Sequence, residues 1–269
     1  MQYEPIKRTI TRFFSGPLFI RKLLYFFIDI LLLRTWHVKK VLSQLKKQLK
    51  EYSNVLDAGS GLGQYSWRMS QMNNSWQIKG VDIDNEQVED CNNFFSRAVE
   101  GKRVTFETAD LTTFTEPGKY DLIISVDVME HIEQDQKVFS NFYSSLKSNG
   151  FLLISTPSDK GGSDVHDQHG SSYIDEHVRN GYSIEEISGK LTSAGFRNVS
   201  VRYTYGKYGR LSWKLSMKYP IRMLNASYLF FIILPLYYLV TFPFCIILNF
   251  FDIGINHQEG TGLLVTAIK

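Results

Sequence analysis

Cysteine is almost missing: Cys91 and Cys245 are the only two in 269 residues. They have neither the density of a disulfide scaffold nor the spacing of metal ligands, so a secreted, disulfide-held fold is excluded and a reducing compartment fits. A large excess of one charge is missing too, the formal net charge being only +3. A secretory leader is not evident, because Asp29 interrupts the first apolar run and no small-residue cleavage pattern follows Leu33. The N-terminal segment is therefore expected to be retained. No internal repeat is apparent. With 43% hydrophobic and 21% charged residues, extensive disorder is excluded, and the length suits one α/β domain with additions.

What is present is unevenly distributed. Residues 1–50 carry about eleven basic and two acidic side chains, whereas residues 51–196 hold about twelve more acids than bases. Arg197, Arg202, Lys207, Arg210, Lys214, Lys218 and Arg222 then follow with no acid among them. Each basic stretch adjoins an apolar one, residues 13–33 and 228–251. That arrangement suits an anionic membrane surface, and no nucleic-acid partner is expected. The aromatic share of 14% is concentrated in these same flanks, as in membrane-contacting segments.

Between the flanks, short apolar runs alternate with amphipathic stretches, the pattern of a parallel sheet covered by helices. Strands are expected at 54–58, 77–82, 104–108, 122–126, 151–156 and 198–205, with a last one at 262–269. Helices are expected at 65–72, 86–99, 136–146 and 184–194, the last opened by Ser183 with Glu186 at capping-box spacing.

The first strand runs into Asp57-Ala58-Gly59-Ser60-Gly61-Leu62-Gly63, glycines that let the backbone turn tightly and approach a ligand at a helix start. A dinucleotide fingerprint would need glycine at 64, where Gln64 stands, so a nicotinamide oxidoreductase is the weaker reading. About twenty residues on, the second strand ends in Asp82-Ile83-Asp84, where a carboxylate can accept both hydroxyls of a ribose. Asp110, before Leu111, follows the third strand and can accept from an adenine amino group. Asp84 and Asp121 read as ordinary cap or turn residues.

The ordered series VLDAGSGLGQY, VDID, TADL, YDLIISVDVMEHI and LKSNGFLLISTP resembles the successive motifs of class I S-adenosylmethionine-dependent methyltransferases, in their ubiquinone-biosynthesis-like subgroup. The resemblance covers roughly residues 50–205 and the last strand. It implies a Rossmann-like, seven-stranded, mostly parallel sheet with helices on both faces, and S-adenosylmethionine as methyl donor. By resemblance, Gly59, Ser60, Gly61 and Gly63 approach the donor's amino-acid part and Asp57 supports its ammonium side. Asp82 with Ile83 holds the ribose, Asp110 with Leu111 meets the adenine, and Val126 borders the methionine portion.

The donor carries its own leaving group, so a base is needed only if the acceptor must lose a proton. His131 is one candidate, with a structural hydrogen bond as the alternative. His166, with His169, lies in a polar stretch where such enzymes form part of an acceptor lid. A metal reading joining Asp164 and His177 to them lacks diagnostic spacing, so no metal is expected. His177 and Arg179 are candidate lid anchors, or simply structural.

Residues 228–251 are long enough to cross a bilayer and contain no charge. A single crossing would strand the last β-strand on the wrong side, so a shallow hairpin bent near Pro235 or Pro243 is expected. Residues 13–33, with Arg21, Lys22 and Asp29, suit an interfacial helix. The alternative is a soluble cap or a dimer interface. Four regions follow: a basic apolar segment 1–50, a donor-binding core 51–205, an insertion 206–260 and a closing strand 261–269. The expected protein is a methyltransferase on the cytoplasmic side of a membrane, peripheral or monotopic, with a hydrophobic or lipid-linked acceptor. A noncatalytic membrane adaptor is the competing class.

Overall fold

A computed structural model of the chain describes residues 17–161, 178–227 and 229–269. Two helices, α1 (Leu18–Leu31) and α2 (Leu33–Lys46), precede β1 (Asn54–Ala58), α3 (Gln64–Met72), β2 (Gln77–Asp82), α4 (Asn85–Ala98), β3 (Val104–Thr108) and β4 (Tyr120–Val126). Then follow α5 (Asp135–Ser145), β5 (Leu146–Pro157), α6 (Ile184–Ser193), β6 (Arg197–Thr204), α7 (Lys207–Trp213), α8 (Tyr219–Ala226), α9 (Phe230–Gly254) and β7 (Gly262–Ile268).

The strands form one sheet in the order β3-β2-β1-β4-β5-β7-β6. All neighbours are parallel except β7, which runs antiparallel to both β5 and β6. Side chains alternate across it with the two-residue period of a strand. Val55, Ile124 and Leu153 face a cluster with Tyr25, Val38, Leu42, Met69, Phe94 and Phe95, so α1 to α4 cover that side. Leu56, Ile123 and Leu152 face Phe139, Phe142, Ile187 and Leu191 of α5 and α6 on the other. The runs are apolar throughout because both faces are covered. The chain reverses its direction of winding between β1 and β4, and ligands of open α/β sheets bind beyond the strand ends at such a switch point. Ser183 caps α6, its Oγ accepting from the Glu186 amide at 3.0 Å.

The structure differs from the sequence reading at both flanks. Instead of one interfacial helix over 13–33, the described part of the N-terminal segment holds two helices. The second buries Val38, Val41, Leu42 and Leu45 in the core, so this helix is packed as part of the sheet's cover. The late insertion is a hairpin, but not one bent at proline. Pro235 and Pro243 both lie inside the single helix α9, whose 25 residues span roughly 37 Å. The first arm is the basic segment: α7, a π-helical turn over Lys214–Lys218, and α8. Tyr237 and Tyr238 donate to the carbonyls of Leu215 and Ser216, each at 2.7 Å, oxygens in the π turn, where the regular helical ladder is interrupted. Further down, Ser212 Oγ meets the Cys245 carbonyl at 3.3 Å, and the Tyr208 and Phe251 rings lie 5.8 Å apart. These pairings make the arms antiparallel and return the chain beside its starting point, where Tyr203 bridges His257 and Thr204 pairs with Gly262.

Candidate donor and acceptor site

The loop from β1 to α3 holds Gly59, Gly61 and Gly63 at φ of 78°, 49° and 75°, left-handed values that favour glycine. A Cβ on Gly59 would also lie 2.2 Å from Val128 Cγ2, so the segment after β4 closes directly onto the loop. Gly61 is different: a Cβ there would meet only Gln87 Oε1, at 3.7 Å. Its outer side is open to a ligand. Gly59 and Ser60 donate to the Val81 carbonyl at 2.8 and 2.9 Å, tying the loop to the end of β2.

Asp82 uses both carboxylate oxygens on backbone, accepting from the Gly61 amide at 2.7 Å and the Asp84 amide at 3.0 Å. Each oxygen has further lone pairs, so the anchored carboxylate can still accept two hydroxyls. Beside it Ile83 is 73% exposed, an apolar side chain left at a polar rim. Asp110 is exposed and folds onto the Thr112 amide at 2.8 Å. Ser60 Oγ is buried with no hydrogen-bond partner. An open glycine backbone, an anchored acid, an exposed apolar residue and an orphaned hydroxyl, all at the β1–β2 edge, fit a nucleoside with an amino-acid tail.

Other expected residues sit differently. Asp57 is buried beneath the loop, and its Oδ2 accepts from the amide and hydroxyl of Ser66 at 2.9 and 2.7 Å. Burial pushes its carboxyl up to about 6 against the pull of Ser66. Its evident work is to pin the first turn of α3. The Leu111 and Val126 side chains are buried and packed in the core. Asp84 caps α4 by accepting from Glu86 and Gln87 amides. Asp121 accepts from the Asn54 amide and Lys147.

Beyond β4 lies a cluster of polar side chains, of which the sequence had singled out only His131. Asp127, with φ 52°, forms an ion pair with Arg34 from α2. The Arg34 amide donates to the Tyr205 hydroxyl at 2.9 Å. The Tyr65 hydroxyl is buried beside the Arg34 guanidinium, and burial pushes its pKa up while Arg34 and Thr35 pull it down. Glu130 is 1% exposed and accepts from Thr156 Oγ1 at 3.1 Å. Burial pushes its carboxyl up, against the backbone, His131, Thr156 and Arg34. His131 follows in the short turn Met129–His131 and is half-buried. The signals were charges inside apolar context, Arg34 after a run of leucines and Glu130 in Asp127-Val128-Met129-Glu130. No linear spacing joins them.

His166 lies outside the described residues, as do Asp164, His169 and His177. Arg179, by contrast, is tied down: it pairs with Asp135 and donates to the Ile132 carbonyl at 2.6 Å. Lys190 and Tyr182 complete the anchor on Asp135 at 2.6 and 2.7 Å. Among the described residues no cluster of three or more histidine, cysteine or acidic side chains could hold a metal.

A family model for a methyltransferase domain matches residues 49–197, more than half of the chain. The phosphoethanolamine N-methyltransferase of Plasmodium falciparum (isolate 3D7) is 32% identical over 170 residues, 60% of this chain and 59% of that protein. The Triticum aestivum phosphoethanolamine N-methyltransferase is 30% identical over 154 residues, 56% of this chain and 29% of that protein. The chain thus spans less than two thirds of these relatives. Among solved structures, phosphoethanolamine N-methyltransferase 2 of Haemonchus contortus, in complex with phosphomonomethylethanolamine and S-adenosylhomocysteine, superposes with a TM-score of 0.60 at 21% identity. That match covers 86% of this chain and 52% of that one. A methyltransferase from Archaeoglobus fulgidus superposes with a TM-score of 0.55 at 18% identity, over 92% and 99% of the two chains; both likenesses show the fold. The chain belongs to the class I S-adenosylmethionine-dependent methyltransferases.

Proposed function

We propose that this methyltransferase works at the cytoplasmic side of a membrane, as a peripheral or monotopic protein, on a lipid-linked acceptor. The group methylated is an amine of the phosphoethanolamine type. The observation that carries the membrane part is the hairpin. Its second arm is apolar over most of its length, yet most of its large apolar side chains are exposed. Ile232, Leu236, Leu239, Phe244, Ile247 and Phe250 are all more than half exposed, far beyond the scattered apolar residues of an ordinary surface. The adjacent arm carries Lys207, Arg210, Lys214, Lys218 and Arg222, matching the charge of anionic headgroups. Support for the acceptor chemistry comes from the relatives, whose names specify phosphoethanolamine.

In this reading Gly59, Ser60, Gly61 and Gly63 hold the donor's amino-acid end above Asp57. Asp82, Ile83 and Asp110 hold its nucleoside, while the Leu111 and Val126 side chains support the cleft from the core. S-adenosylmethionine, when bound, supplies a methyl group on a positively charged sulfur. The chain's own task is to align the acceptor, exclude water and take up a proton. His131 is the proposed proton acceptor, with Asp127 and Glu130 setting the charge around it.

The test is methyl transfer from labelled S-adenosylmethionine by the full chain, offered phosphatidylethanolamine vesicles or soluble phosphoethanolamine. Label in the lipid is expected. Label in soluble phosphoethanolamine alone would remove the lipid-linked acceptor.

A further inference from the structure

Helix α1 has two faces with different partners. On the inner face Arg21 and Tyr25 are 3% and 2% exposed. Both reach the glycine loop: Arg21 Nη2 donates to the Leu62 carbonyl at 2.8 Å, and the Tyr25 hydroxyl donates to the same oxygen at 2.6 Å. Arg21 Nε holds the Tyr25 oxygen at 2.8 Å, and its other terminal nitrogen pairs with Asp90 of α4. In the last turn of α1, Asp29 accepts from Gln64 Nε2 at 3.3 Å. Leu62 and Gln64 flank Gly63, and Gly61 is the open position of the loop, so α1 grips the donor loop on both sides of a glycine.

The outer face is Phe19, Leu23, Phe26 and Phe27, at positions i, i+4, i+7 and i+8, one stripe of a helix. Their exposures run from 44% to 66%. Lys22 lies beside the stripe, its Nζ 5.3 Å from the Trp67 ring. An apolar, aromatic stripe with a lysine beside it complements an anionic bilayer, with rings at the level of the headgroups and the ammonium group against phosphate.

We infer that the outer stripe of α1 is a second lipid-docking surface, and that its engagement tightens donor binding through Arg21 and Tyr25 on the Leu62 carbonyl. A bilayer that binds the seated form of α1 stabilises the loop conformation that binds the donor. By linkage the two ligands then strengthen each other. This rests on the membrane reading above and adds a donor-affinity effect that α9 anchoring alone does not supply.

The test measures S-adenosylhomocysteine affinity of the full chain by calorimetry, with and without vesicles of phosphatidylglycerol and phosphatidylcholine, which carry no acceptor amine. Vesicle co-sedimentation is measured in parallel. The wild type is expected to co-sediment and to bind about fivefold more tightly with vesicles. The double variant Phe19→Ser, Phe26→Ser, altered only on the outer face, should match vesicle-free wild type, still co-sediment through α9, and show no gain. Tyr25→Phe should co-sediment with a reduced gain. Co-sedimentation with unchanged wild-type affinity would overturn this inference and leave the membrane reading standing. A gain that survives the double variant would also overturn it. Failure to co-sediment, with the stripe instead buried in a dimer seen by sedimentation, would overturn both.

Discussion

At the scale of single residues, the site rests on carboxylates with separate duties. Asp82 binds the Gly61 amide at 2.7 Å and shapes the loop as well as facing the ribose position. Asp82→Ala should therefore weaken S-adenosylmethionine binding by about 1–3 kcal/mol, through loss of a charged acceptor and of loop order. Calorimetry reads this, and an unchanged affinity would exclude Asp82 from the donor site. The fold should survive, because Asp82 is only half-buried. Asp57 cannot be separated from folding in the same way, since it is buried and holds Ser66. Gln64 explains why the glycine series is not a dinucleotide fingerprint: its side chain is used on Asp29 and Thr35.

At the scale of elements, a buried latch joins both flanks to the core. Asp252, near the end of α9, is fully buried and accepts from His37 of α2 at 2.9 Å and from the Gly209 amide of α7 at 2.7 Å. His257 lies 3.3 Å from the same carboxylate. Asp252→Ala would leave these donors without their acceptor, a loss of about 2–4 kcal/mol. Hydrogen exchange should show early opening of α7 and α9 while the β1–β5 sheet stays protected. Burial lowers the His37 pKa, with Asp252 opposing it. The unfolded chain therefore takes up this proton more readily than the folded one. The contribution is present above the ordinary histidine value of about 6.5 and is lost as pH falls from there through the lower folded value. Latch protection should decline as pH drops from 7.5 to 5.5, and His37→Asn should flatten that part of the profile.

At the scale of the whole molecule, the hairpin's two ends meet at the sheet, so its connections lie on one side of any membrane it enters. Cysteines introduced near Lys214 and near His257 should both be labelled from the cytoplasmic side, in permeabilised but not intact cells. Labelling of one from each side would contradict the proposed topology. The exposed α9 also accounts for the strong aromatic excess, which the core alone does not require.

The central domain was legible because its instructions are local. Apolar runs of five or six residues, glycines after β1 and acids after β2 and β3 set strands, turns and cleft edge within a few residues of chain. Strand bounds at 54–58, 77–82 and 104–108 agree with β1, β2 and β3, and Ser183 caps as its spacing to Glu186 implies. That the final segment is a strand of the sheet was also legible, but its place between β5 and β6, antiparallel to both, was not. Long-range pairings were not legible. Arg34 and Asp127 are 93 residues apart (127 minus 34), and His37 and Asp252 are separated by 215; no periodicity links such pairs. The hairpin shows the same limit. Proline chemistry pointed to a bend inside 228–251, but α9 continues through both prolines, packed along its length against a basic arm. Helix continuity there is decided by the partner helix, so the sequence by itself determined the donor fold and its glycine loop, and tertiary packing decided what covers them.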